Sequence, residues 1–149
     1  PGQIQRYMNK ISGPLLDRID IQCEISPVPF KDISKAAPGE PSARIRERVI
    51  RAREIQAERF KDFKGIHCNA QMTERMIHQF AEPTEEGINL LRMAMEKLSL
   101  SARAYNRILK VARTIADLAG SQQVEPQHLA EAIGYRTLDR GDWAERGHF

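Results

Sequence analysis

With 149 residues, 41% apolar and 29% charged, the chain suits one domain, or a small domain with an appended segment, and reads as soluble and globular. Its 23 Lys and Arg nearly cancel 20 Asp and Glu, and a net charge of +3 is too slight a bias to name nucleic acid as a partner. No apolar run reaches bilayer length, no signal-peptide pattern opens the chain, and the two distant cysteines, Cys23 and Cys68, support neither a disulfide scaffold nor a zinc site and suit a reducing cytoplasm.

The first patterned segment is IDIQCEIS, residues 19–26, where Ile19, Ile21, Cys23 and Ile25 alternate with polar residues as in a half-buried strand. No later segment offers a partner strand, and a lone strand is unstable, so its sheet is expected to lie outside this chain. The opening Pro1, in place of Met, fits a piece of something longer. Pro27, Pro29, Pro38, Gly39 and Pro41 mark a linker, which puts a domain boundary between 1–41 and 42–149. Residues before Ser42 are expected to be mobile or held by substitute contacts.

Helical signals then follow one another. Ser42 is the predicted cap of a helix reaching about Phe63, with Ile45, Val49, Ala52, Gln56 and Phe60 inward, and Gly65 ends it. Thr73 starts a short helix to Phe80, and Pro83-Thr84 opens another that turns Ile88, Leu91, Met95 and Leu98 inward. Ser101 opens the most regular one, where Ala104, Ile108, Val111, Ala112 and Ile115 recur at three and four residues until Gly120. Pro126 begins a last helix through Leu129, Ala132, Ile133 and Arg136, and a polar tail holding Trp143 follows. The fold class expected is mainly α: a small helical bundle preceded by an orphan β-strand and a Pro/Gly-rich linker.

Arg103 is the most informative candidate for chemistry. In the first turn of a helix capped by Ser101 it meets the positive end of the helix dipole, a placement that a phosphate would relieve. The plain alternative is a solvated side chain or an ion pair with Glu96. Arg107 and Lys110 continue that face, as an ordinary solvated stripe or as part of the same anion site. Arg18, between Asp17 and Asp20, is either a surface ion pair or a guanidinium steered by those carboxylates toward a neighbouring subunit's ATP. The arginines of residues 44–59 alternate with Glu47, Glu54 and Glu58 at spacings that suit intrahelical pairs such as Glu47 with Arg51, which favours a solvated face over DNA contact. His67, His78 and His128 lack metal-ligand spacing. No GxxxxGK[ST] occurs and no apolar strand ends in paired acids, so this chain alone is not expected to hydrolyse ATP.

Three blocks, RYMNKISGPLLDRIDI (6–21), LSLSARAYNRILKVARTIAD (98–117) and HLAEAIGYRTLDR (128–140), resemble in order and spacing the C-terminal end of ComM/YifB proteins, the magnesium-chelatase-like AAA+ ATPases. More distantly they are similar to the magnesium chelatase ATPase subunit and to MCM helicases. The resemblance implies that residues 1–41 end the AAA+ core and residues 42–149 form its helical lid with a polar tail. It also implies that Arg18 is an arginine finger acting in trans and Arg103 a sensor 2 residue acting in cis, with Arg107 beside it at the nucleotide. ATP and Mg2+ would be cofactors of the full-length protein only, and the partners would be its own N-terminal core, further copies in a hexameric ring and DNA, with no membrane. Cytoplasmic motor work on DNA, helicase or branch migration, is the implied role. A chelatase-type ATPase subunit, a stand-alone helical DNA-binding module and a protein-interaction adaptor are the rivals, and a P-loop upstream in the parent gene separates the first reading from the last two.

Overall fold

A computed structural model describes residues 10–23, 25, 27–30, 38–98 and 100–136; the tail with Trp143 and much of the linker lie outside these residues. Among the described residues the elements are α1 (Gly13–Leu16), α2 (Ser42–Phe60), a 3-10 turn (Asn69–Gln71), α3 (Glu74–Phe80), α4 (Glu85–Leu98), α5 (Ala102–Ala119) and α6 (Pro126–Gly134). The fold is mainly helical, a small bundle in which α5 packs against α2, the 3-10 turn, α3 and α6.

Local chemistry accounts for most of the helix ends. Thr73 caps α3, its hydroxyl accepting from the Met76 amide at 3.4 Å, and Ser101 caps α5 by accepting from the Ala104 amide at 3.2 Å. Gly120 closes α5 with φ 71°, a left-handed conformation that a side chain would strain. At α2 the structure departs from the expectation. Pro41 occupies the cap position without a side-chain bond, Ser42 is the first helical residue, and the helix stops at Phe60 rather than Phe63. Residues 42–51 are all exposed, and Ile45 and Val49, expected to face inward, are 43% and 44% exposed because the bundle meets α2 only from Ala52 onward.

The core centres on Phe60, Leu91, Ile108, Leu109, Ala112 and Leu129. Phe60, Phe63 and Phe80 close one end with mutually edge-on rings, 5.7 to 6.4 Å between centroids. α4 approaches α6 closely at Gly87, where a Cβ would fall 2.7 Å from Leu129 Cδ1. A single bridge between Pro83 and Val124 ties the loops that lead into these two helices.

The strand predicted over residues 19–26 does not form among the described residues; Ile19 to Cys23 and Ile25 have no sheet partner. Extended backbone needs a neighbouring chain for its amides and carbonyls, and none is at hand. The segment lies instead against the ends of α5 and α6, with the Gln22 amide donating to the Tyr135 carbonyl at 3.0 Å.

Candidate functional site

Where segment 18–21 meets α5, a cleft of about 580 Å³ opens, lined by Arg18, Asp20, Ala70, Arg103, Asn106, Arg107, Lys110, Glu131 and Tyr135, with Val111, Ile115 and Leu118 as its apolar wall. The helical repeat explains why one helix supplies so much of it. Arg103, Arg107 and Lys110 are spaced by four and three residues and therefore share a face, while Ala104, Ile108 and Ala112 turn into the core. All three residues expected to carry function, Arg18, Arg103 and Arg107, thus line one cavity.

Its charge is predominantly positive. Arg18, Arg103, Arg107 and Lys110 face two carboxylates, Asp20 and Glu131. Arg107 pairs with Asp20, and Lys110 Nζ donates to the Ala70 carbonyl at 2.9 Å. Burial, seconded by the Arg107 charge, pushes the Lys110 ammonium below its ordinary range, with Asp20 opposing. Arg103 is exposed in a first turn that contains no acidic residue, and no ion pair joins it to Glu96 among the described residues. Neither does Asp17 or Asp20 steer Arg18, as the sequence suggested. Asp17 accepts from Ser101 Oγ at 3.0 Å and lies 3.7 Å from Arg136 Nη2, whereas Asp20 belongs to Arg107. Both carboxylates bind the bundle, and Arg18 is left facing the cleft.

The arginine-rich helix behaves differently from the pairing expected of it. Arg48 reaches back to Glu40, with 2.9 Å between Nη2 and Oε2, and no Glu47–Arg51 pair forms among the described residues. Arg59 leaves the surface altogether. Its Nη1 donates to Asp117 Oδ2 and to Asn69 Oδ1, each at 2.8 Å, while Arg113 Nε donates to Asp117 Oδ1 at 3.1 Å. Arg113, 2% exposed, also donates to the carbonyls of Ser121 and Gln122 at 2.6 and 2.8 Å. This network fastens α2 and the 3-10 turn to the end of α5. Sequence reading missed it because nothing local joins Arg59 to Asp117, 58 residues away. The one available signal was an Arg and an Asp four residues apart beside the apolar stripe of α5.

His128, the third histidine considered, is a structural residue whose Nδ1 accepts from the Glu125 amide at 3.1 Å at the start of α6. Among the described residues no group of three His, Cys, Asp or Glu side chains is placed to hold a metal ion. No described helix is long and apolar enough to cross a membrane.

Known proteins are similar to this chain in sequence. The family described as magnesium chelatase, subunit ChlI C-terminal, matches residues 39–136, and the magnesium chelatase, subunit ChlI family matches residues 1–33. The chain belongs to the magnesium-chelatase-like family that includes ComM and YifB. It is 45% identical over 141 residues to the competence protein ComM of Haemophilus influenzae and 43% identical to YifB of Escherichia coli, each match taking in 94% of this chain and 27% of the relative. The protein Rv2897c of Mycobacterium tuberculosis is 35% identical over 132 residues, 89% of this chain and 26% of that protein. The chain therefore spans about a quarter of the length of these relatives and corresponds to a C-terminal domain of the AAA+ class.

Proposed function

We propose that this magnesium-chelatase-like chain is the lid end of an AAA+ ATPase, with residues 1–41 closing the core and 42–149 forming the lid, and that its cationic cleft receives the phosphates of ATP. The observation that carries the reading is the gathering of Arg18, Arg103, Arg107 and Lys110 on one cleft beside the start of α5, whose own first turn holds no acidic residue, although Asp17 bonds to its cap. Free amides at a helix start and guanidinium forks together suit a phosphate. Arg103, with Arg107 beside it, reads the γ-phosphate as sensor 2 in cis, and Arg18 serves as the finger for a neighbouring subunit. ATP and Mg2+ are cofactors of the full-length protein, as the chelatase-type family suggests. The full-length protein is a cytoplasmic ring, hexameric by family, that works as an ATP-driven motor on DNA. An ATPase subunit of the chelatase type is the alternative.

The shared cleft favours a second arrangement, in which Arg18 and Arg103 of one subunit meet the same nucleotide. Subunit mixing in the full-length protein separates the two. Arg18→Ala should leave nucleotide binding nearly intact and slow hydrolysis by up to about a thousandfold, and Arg103→Ala should also impair it. If the finger acts in trans and sensor 2 in cis, adding Walker-A-defective subunits restores activity to Arg18→Ala rings but not to Arg103→Ala rings. Identical behaviour of the two mixtures supports the shared nucleotide. Full activity of either single mutant would remove that arginine from the site.

A further inference from the structure

Three side chains hold the residues on either side of Arg18. Arg136, 1% exposed in the turn after α6, donates from Nη1 to the Ile19 carbonyl and sets Nη2 3.7 Å from Asp17 Oδ1. The other oxygen of Asp17 accepts from Ser101 Oγ at 3.0 Å. That same hydroxyl accepts from the Ala104 amide at 3.2 Å, capping the helix whose first turn contains Arg103. Asp17 and Ile19 are thus tied to the ends of α5 and α6, and the residue between them, Arg18, lines the same cleft as Arg103. A buried guanidinium is costly unless it is paired, and here it reaches both flanks of one residue, through a hydrogen bond to the Ile19 carbonyl and a longer ion pair with Asp17 at 3.7 Å. A lysine has no planar fork with which to span both.

We infer that Arg136, Asp17 and Ser101 form a positioning latch that fixes Arg18 relative to the start of α5, so that the finger segment and the lid helix hold their guanidinium groups as one rigid unit. The latch rests on the reading of the cleft as a nucleotide phosphate site. None of its three members lines the cleft; each acts through Arg18 or through the start of α5.

The experiment is a double-mutant cycle on ATP hydrolysis by the full-length protein. Arg136→Lys should lower kcat about tenfold to a hundredfold, the scale of a small misplacement, with KM changed less than about twofold. Placed in an Arg18→Ala background it should add less than about twofold, because no guanidinium remains to be misplaced. Asp17→Asn, at a side chain 25% exposed, should repeat the pattern and carries the experiment if Arg136→Lys does not fold. Either substitution should also speed hydrogen exchange of the Gln22 amide, which bonds to the residue before Arg136. Losses that multiply with Arg18→Ala, or an unchanged Gln22 amide, overturn the latch and leave the phosphate site standing. Full activity of Arg18→Ala alone overturns both.

Discussion

Arg113 and Arg103 belong to the same helix. Arg113 is 2% exposed and saturated by Asp117 and two backbone carbonyls, whereas Arg103 is exposed beside a cleft that already holds three other cations. The first group is closed: Arg59 and Arg113 satisfy the Asp117 carboxylate and fasten α2 to α5. In the second, Arg18, Arg103, Arg107 and Lys110 outnumber Asp20 and Glu131. Burial with full pairing makes an arginine part of the scaffold, and excess positive charge around open volume makes one available to an anion.

The sharpest way to break this contrast is to remove a charge from each group and follow urea unfolding. Asp117→Ala strands two guanidinium groups, one of them deeply buried, and should destabilise the fold by about 3–5 kcal/mol. Arg103→Ala leaves nothing stranded and should stay within about 0.5 kcal/mol of the parent. Comparable losses in the two variants would erase the distinction.

A smaller effect is expected at the boundary between the two groups, where the α5 cap serves the fold and the cleft at once. Ser101→Ala removes the acceptor for the Ala104 amide and the donor to Asp17, and should reduce stability by about 1 kcal/mol. Ser101→Asn, which retains a cap acceptor, should recover most of that loss; equal losses for Ala and Asn would show that capping is not what Ser101 contributes.

The smallest effect concerns Lys110. Its ammonium is held below the ordinary lysine value of 10.5 mainly by burial, so the folded protein binds that proton less readily than the unfolded chain. The contribution to stability therefore rises as pH climbs from the lowered folded value toward 10.5, and it is slight for a group this open to solvent. A phosphate in the cleft should move the Lys110 titration upward, because an opposite charge favours the ammonium. NMR titration of the Lys110 side chain with and without pyrophosphate measures this, and coincident curves would mean that the cleft does not hold the anion near Lys110.

Local signals determined much of the scaffold. Thr73, Ser101, Pro126 and Gly120 mark helix ends through bonds and dihedral limits within a few residues, and the apolar repeat of α5 alone placed Arg103, Arg107 and Lys110 on one face. Even α2 was legible as a helix, although how far the bundle would cover it was not. Tertiary structure decided everything that joins distant residues: Arg59 with Asp117, Asp17 with Ser101, Arg136 with Ile19, and the placement of Arg18 in the same cleft as Arg103. It also decided the fate of residues 19–23, whose alternating pattern specifies a strand only where another strand supplies partners; without one, their polar backbone turned to Tyr135 and Arg136. Caps and periodicities are read within a turn or two of the chain, whereas a buried ion pair or a shared cleft depends on which surfaces the packed helices bring together.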